Sequence, residues 1–506
     1  MTRVYTAAGC RELDRLAIED YGIPGFTLMR RAGEAAFHAL IQRWPDARRV
    51  TVYCGKGNNA GDGYIIAGLA REYLLDVTLI QLGDAATLRG DAARARDWAL
   101  QRGVEIRGPG GAVDADVVVD ALLGTGLAGA VREPFASAID AINASRVPVL
   151  AVDVPSGVSA DSGAVLGTAV GAELTVTFIG HKLGLHTGPA LDCRGDLVFA
   201  DLGVPSAVLQ RVGGWPLFNF PALEGAYRLP RRAANAYKQA LGHVAVVGGD
   251  GNMGGAPIMA AEAALRTGAG MVTMVTRAAH RPAVLARRPE VMVADADDAD
   301  QRRSAFDRAT CLVVGPGLGR TAWAEALLKE TLALGKPMLL DADALNLLAE
   351  LDLRPSGPVV VTPHAGEAAR LLGIGSGAVQ DDRPRAVLGV ASRVNGVAVL
   401  KGAGSLIAGP VAAPGAPGGA EPQLLGVCAH GNPGMATAGM GDVLSGVIGG
   451  CLAQGLEPAP AAVIGTCLHS YAGDLAAGEL GQRSLLATDL LPHLVRALAR
   501  EDKGGP

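Results

Sequence analysis

The chain has 506 residues, 49% hydrophobic and 19% charged, the make-up of a globular protein with room for two or more cores. A net charge of −5 gives no electrostatic case for nucleic acid or an anionic membrane as the main partner. Seven scattered cysteines without a C-x-x-C pair read as free thiols of a reducing compartment. With no signal-peptide core and no run of about 20 apolar residues, a cytoplasmic protein is expected.

Two helical segments, Ala7–Tyr21 and Thr27–Trp44, precede a series of short apolar runs. The runs are Val50–Tyr53, Val77–Leu82, Val117–Asp120, Val147–Val152, Leu174–Ile179 and Leu197–Ala200. Helical segments such as Gly63–Leu75 and Asp91–Gln101 lie between them. Continuously apolar strands alternating with helices predict a mostly parallel sheet covered on both faces.

The first strand runs into Gly55-Lys56-Gly57-Asn58-Asn59-Ala60-Gly61-Asp62-Gly63, which reads as a loop before a helix. Such a turn offers backbone N–H groups and a positive dipole end to an anion. It is not the G-x-G-x-x-G fingerprint of an NAD dehydrogenase. The third strand ends in Gly124-Thr125-Gly126-Leu127-Ala128-Gly129-Ala130, and the fourth in Asp153-Val154-Pro155-Ser156-Gly157. Ligands in open α/β sheets sit outside strand carboxyl ends, so these loops can converge on one pocket. Asn59, Asp120 and Ser156 are hard oxygen donors suited to a small alkali cation. Asp153 is a candidate acid or base, although any one Asp here could simply cap a helix or close a turn.

The stretches GNNAGDG, VVVDALLGTG, VPVLAVDVPSG and ELTVTFIGHKLGL resemble the NAD(P)H-hydrate epimerase family over about residues 5–205. The resemblance implies interconversion of the R and S forms of NADHX and NADPHX, hydrated at the nicotinamide C6, with a potassium ion. Asn58–Asp62 and Gly124–Ala130 would then hold the substrate, with Asp153 at the nicotinamide end. Asn59, Asp120 and Ser156 would hold the potassium.

The stretch Val204–Ala240, rich in Pro and Gly, separates the halves. The pattern then restarts with His243–Val247, Met271–Val275, Cys311–Val314, Met338–Leu340, Val359–Val361 and Val397–Leu400. Asp295–Asp300 reads as a solvated acidic loop, and Gly409–Pro422 as a flexible surface loop. The end is helical, over Asp442–Gln454, Ala461–Leu480 and Ala487–Ala499.

Gly431–Gly446 (GNPGMATAGMGDVLSG) is the strongest motif. Its small residues leave the N–H groups of a helix start open to phosphate. Asp442 falls in the first turn, where a carboxylate can take a proton from an attacking hydroxyl. The competing reading makes Asp442 an N-cap. Lys401-Gly402-Ala403-Gly404-Ser405, Thr362–Glu367 with His364, Gly315–Gly319 and Gly248–Pro257 are further strand-end loops.

This half resembles the ribokinase-like superfamily and, within it, the ADP-dependent NAD(P)H-hydrate dehydratases, over about residues 225–500. The matching stretches are GAPIMAAEAALRTGAGMVT, VVGPGLG, LLDADALNLL, VTPHAGEAARLLG and GNPGMATAGMGDVLSGVIGG. The resemblance implies Ala256, Gly317, His364 and Asp442 at NAD(P)HX, and Lys401, Gly402, Ala403, Gly404, Ser405 and Gly441 at the adenine nucleotide. The fused architecture suggests ADP as donor, ATP remaining open, and a magnesium ion is expected for any such transfer. The expected fold is α/β with two domains: a Rossmann-like three-layer αβα sandwich over 1–215 and a ribokinase-like αβα domain over 225–506. A homo-oligomer acting on small molecules is expected. The alternatives are a ribokinase-like small-molecule kinase with an N-terminal nucleotide-binding module, and a chain with one inactive, nucleotide-sensing half.

Overall fold

A computed structural model describes residues 2–110, 113–410 and 421–502. The chain divides between Trp215 and Pro216 into two compact units. The strands, in chain order, are β1 (Arg3–Tyr5), β2 (Arg49–Cys54), β3 (Asp76–Gln81), β4 (Ile106–Arg107), β5 (Val117–Ala121), β6 (Val149–Val152), β7 (Leu174–Phe178), β8 (His181–Lys182), β9 (Asp196–Ala200) and β10 (Trp215–Phe218). They continue with β11 (His243–Val247), β12 (Met271–Thr276), β13 (Met292–Asp295), β14 (Cys311–Val314), β15 (Met338–Leu340), β16 (Val359–Val361), β17 (Val397–Leu400), β18 (Leu406–Pro410) and β19 (Pro422–Cys428).

The first unit is built on a parallel sheet of order β4-β3-β2-β5-β6-β7-β9. Val50 and Val52 of β2 face one core, with Leu40, Ile65 and Ile66 from the helices Gly25–Arg43 and Asn58–Glu72. Tyr53 faces the other, with Ile139 and Ile142 of the helix Phe135–Ser145. This is the three-layer αβα sandwich expected. The chain leaves β2 toward β3 on one side and returns at β5 on the other, so the strand order reverses beside β2. The short β1 and β8 pair in parallel, Tyr5 against Lys182.

In the second unit the order is β13-β12-β11-β14-β15-β16-β17-β18-β19-β10. It is parallel from β13 to β17 and antiparallel across β17-β18-β19. Val244, Val246, Val313 and Leu339 face a core shared with the helices Gly255–Thr267, Met440–Ala453 and Pro458–Leu480. Leu312, Val314 and Leu340, on the opposite face, are fully buried as well. Here the order reverses between β11 and β14.

Three readings are corrected. The segment read as a loop before Gly63 is helical from Asn58. Its small residues let the helix settle on the sheet: a Cβ on Gly63 would lie 2.6 Å from Ala121 and 2.8 Å from the Cys54 sulfur. The acidic run at Asp295–Asp300 is not simply a solvated loop. Asp295 ends β13, and the Asp298 side chain accepts the N–H groups of Asp300 and Gln301 to cap the helix Ala299–Arg308. The ends of Gly409–Pro422 belong to the antiparallel pair β18–β19, with Pro410 opposite Pro422; residues 411–420 lie outside the described residues. Among the described residues no helix is long and apolar enough to cross a membrane.

Candidate functional sites

The first unit holds a cavity of about 740 Å³ at the carboxyl ends of β2, β5 and β6. Asn58, Asn59, Asp62, Gly124–Ala128 and Asp153 line it. Ala60, Gly61, Gly129 and Ala130 stand in the same two segments outside that lining. Gly57 is the N-cap of the helix and uses no side-chain cap, so Asn58 to Asp62 form its opening turns.

Two features of this cavity are electrostatic. Asp153, held at φ 66°, receives the Lys182 ammonium on Oδ1 together with the Phe178 N–H at 3.3 Å. Lys182 also donates to the Phe178 carbonyl at 2.9 Å and is almost wholly buried. Burial works against its charge, but Asp153, Cys10 and Asp14 hold its pKa above the usual lysine value. Around this pair the carboxylates resist ionisation. Loss of water at the cavity wall pushes Asp14 up to about 6, although it keeps exposed surface, and burial with the charges of Asp153 and Asp14 pushes Asp62 well above the carboxylate range.

Beneath the cavity, Asp120 is fully buried. Its Oδ1 accepts the Ser156 hydroxyl at 2.6 Å and its Oδ2 the Ser156 N–H at 2.7 Å. Burial lifts its pKa to about 6 despite those bonds. Asp120 and Ser156 are thus joined directly. Asn59 stands against Gly124, whose Cβ would fall 3.3 Å from the Asn59 amide carbon. Both polar atoms of the Asn59 side chain are buried without a hydrogen-bond partner.

In the second unit the helix Met440–Ala453 starts from Gly439, at φ 90° and without a side-chain cap. Asp442 is therefore not the N-cap; it sits within the first turn. Burial, then the Asp341 charge, raises its pKa to about 7, against the pull of Lys401. Lys401 Nζ donates to Asp341 Oδ1 at 2.6 Å and stands 3.8 Å from Glu367 Oε2. Asp341 Oδ2 accepts the Ser445 hydroxyl at 2.8 Å, from one turn beyond Asp442. A Cβ on Gly441 would lie 3.3 Å from Lys401 Nζ and 3.4 Å from Asp341 Oδ2, so the pair underlies the helix mouth. Burial also pushes Glu367 up to about 7.

His364 is the N-cap of the helix Ala365–Leu372. Its Nδ1 accepts the N–H groups of Gly366 and Glu367 at 3.0 and 3.2 Å, which places its proton on Nε2, 3.2 Å from Glu367 Oε1. The rest of the ring is open to solvent, the side chain being 55% exposed. Gly317 meets Ala256 across the strand-order reversal: a Cβ on Gly317 would lie 3.3 Å from that of Ala256. Gly402, Ala403, Gly404 and Ser405 follow β17. Arg383, fully buried, donates to the carbonyls of Leu400 and Lys401 at the root of that turn, and the Ser405 hydroxyl donates to the Gly402 carbonyl at 3.2 Å.

Sequence reasoning gave no role to Lys182, Asp14, Asp341, Glu367 or Ser445. Lys182 and Asp341 each stand in a quoted motif just past an apolar strand, and a charge in that position is the signal that could have found them. Asp14 lies inside a helix, where nothing in the local pattern marks it, while Ser445 stands in the Gly431–Gly446 motif one turn after Asp442, and that spacing is the signal that could have found it.

Residues 25–184 match the family model described as YjeF-related protein N-terminus. Residues 244–496 match that described as NAD(P)H-hydrate dehydratase. The "Bifunctional NAD(P)H-hydrate repair enzyme Nnr" of Coxiella burnetii is 47% identical, over 98% of this chain and 99% of its own length. The protein so named in Escherichia coli is 42% identical, over 98% of this chain and 94% of its own. A solved ADP/ATP-dependent NAD(P)H-hydrate dehydratase from Bacillus subtilis, co-crystallised with ATP and Mg²⁺, is 28% identical. It aligns over 54% of this chain and 95% of its own, with a TM-score of 0.47. Two matched domains and relatives similar from end to end lead to one assignment: this chain belongs to the family of bifunctional NAD(P)H-hydrate repair enzymes.

Proposed function

We propose that the chain returns hydrated NADH and NADPH to use in two steps. The domain over residues 1–215 epimerises R- and S-NAD(P)HX. The domain over 225–506 dehydrates the S form with ADP, giving NAD(P)H, AMP and phosphate. Relatives named bifunctional NAD(P)H-hydrate repair enzymes, and a dehydratase family model over the second half, support this reading. One observation carries it: Asp442, with a pKa near neutrality, stands in the open first turn of a helix beside the Lys401–Asp341 pair.

Hydroxide is a poor leaving group and phosphate a good one. Asp442 takes the proton of the C6 hydroxyl as its oxygen attacks the terminal phosphorus of ADP. The first N–H groups of the helix stabilise the phosphoryl group in transit. Electrons of the ring nitrogen then expel phosphate, and loss of the C5 proton restores the double bond. The oxygen of the added water leaves in the phosphate. Ala256, Gly317 and His364 hold NAD(P)HX, while Lys401–Ser405 and Gly441 hold the nucleotide. Mg²⁺, usually held by one or two carboxylates plus phosphate oxygens, would come with the ADP, and Asp341 is the carboxylate beside Lys401 that would help hold it. Magnesium would neutralise charge on the transferring phosphate.

In the epimerase site Asn58–Asp62 and Gly124–Ala130 hold the dinucleotide. Inversion at C6 breaks and remakes a bond there while protons move, and Asp153 with Lys182 supplies an acceptor and a donor side by side. The orphaned Asn59 amide and the buried Asp120 carboxylate suit an alkali cation, which would offset substrate phosphate charge. Asn59, Asp120 and Ser156 would hold that potassium. The seven free cysteines suit the reducing cytoplasm.

Incubation with racemic NADHX, ADP, Mg²⁺ and K⁺ tests the whole reading. Complete recovery of reduced nicotinamide absorbance and free phosphate, beyond a no-enzyme control, is expected. Arrest at half conversion removes the epimerase, and a stable phosphorylated product makes the chain a kinase instead.

A further inference from the structure

We infer that Asp474, on the helix Pro458–Leu480, is the positioning residue that sets the phosphate-binding loop ahead of Asp442; this rests on the dehydratase reading above. Three consecutive residues converge on its carboxylate. His430 Nδ1 lies 3.1 Å from Oδ2, the Gly431 N–H lies 3.2 and 3.1 Å from the two oxygens, and Asn432 Nδ2 lies 2.9 Å from Oδ1. His430 Nδ1 faces an ionised carboxylate and so carries a proton toward Asp474, while Nε2 lies 3.1 Å from the Phe220 N–H and 3.0 Å from Asn219 Oδ1. The chain of bonds continues outward, since Asn432 Oδ1 accepts the Gly434 N–H at 3.0 Å.

The neighbouring position supports the same contact. A Cβ on Gly473 would fall 2.5 Å from the Met435 sulfur, so the loop lies flat on the helix over Gly473 and Asp474. Although burial opposes it, the bonds from His430, Asn432 and Gly431 hold Asp474 ionised below the usual carboxylate value. Pro433 to Gly439, the first three of them a single helical turn tied back by the Asn432 side chain, separate this anchor from the helix that carries Gly441 and Asp442. A displaced anchor therefore displaces the amides that face the phosphoryl group. No part of the carboxylate's role requires contact with substrate.

The test compares ADP with AMP, which lacks the phosphoryl group to be transferred, in the full chain by calorimetric titration. In Asp474→Asn, which keeps the shape but presents an N–H₂ group to its donors, ADP is expected to bind at least about tenfold more weakly. AMP should change little, dehydration kcat should fall, and Asp474→Glu should recover part of the loss. Asp474→Ala, should it fold, follows Asp474→Asn. An equal weakening of ADP and AMP, or an unchanged ratio with unchanged kcat, overturns the proposal. A parent chain that neither prefers ADP over AMP nor releases phosphate from S-NADHX overturns the underlying reading instead.

Discussion

Both units bury a lysine against an aspartate, yet they place the titrating carboxylate differently. In the first, Lys182 pairs with Asp153 within the lining of an open cavity, and the lifted acids, Asp14 and Asp62, share that cavity. In the second, Lys401 and Asp341 lie under a helix mouth, and of the two lifted acids, Glu367 and Asp442, the latter belongs to the first turn of that helix. A cavity with acid and base groups on its walls suits proton traffic around one carbon. A helix mouth with a neutral-range base suits phosphoryl transfer, in which protein and substrate exchange one proton while backbone amides hold the charge.

The largest effect that separates them is expected from Asp442→Asn. It should lower dehydration of S-NADHX by about 10²- to 10⁴-fold, the usual contribution of a general base. Epimerisation, followed by chromatography of the two forms, should be unchanged. Lys182→Met should do the reverse. With racemic substrate the reaction should stop near half conversion, and because Asp153 is left without its partner the first unit should lose roughly 3–5 kcal/mol, measured by urea unfolding.

A smaller effect comes from pH. Asp442 must be ionised to accept a proton, and its pKa is raised to about 7. Dehydration kcat/KM should therefore climb with pH through about 7 and level off above it. A limb near pH 4 would show that the base is an ordinary exposed carboxylate, or another group.

The fold was readable because parallel strands buried on both faces leave unbroken apolar runs, as in Val117–Val119 and Val359–Val361. The loops at their ends were readable because phosphate sites favour small residues. Ion pairing was not. Lys182 and Asp153 stand 29 residues apart, Lys401 and Asp341 stand 60, and Ser445 and Asp341 stand 104. Local pattern carries no information over such separations. β18 and β19 were hidden for another reason: Gly409, Pro410 and Pro422 give the pair the look of a linker.

The smallest expected effects have opposite signs in the two sites. Ser445 donates to Asp341, and both are buried. Ser445→Ala removes one partner of a charged acceptor and should destabilise the second unit by about 1–3 kcal/mol. The Asn59 amide is equally buried but makes no hydrogen bond in the structure. Its desolvation cost is met only when a ligand or cation arrives. Asn59→Ala should therefore leave the melting temperature of the first unit unchanged or raise it, while weakening substrate binding and any response to K⁺. Calorimetry of the intact chain distinguishes the units, since ADP should shift only the second transition. A clear drop in the first transition for Asn59→Ala would mean that the amide already serves the fold, and that its place in the cavity is not one kept open for a ligand.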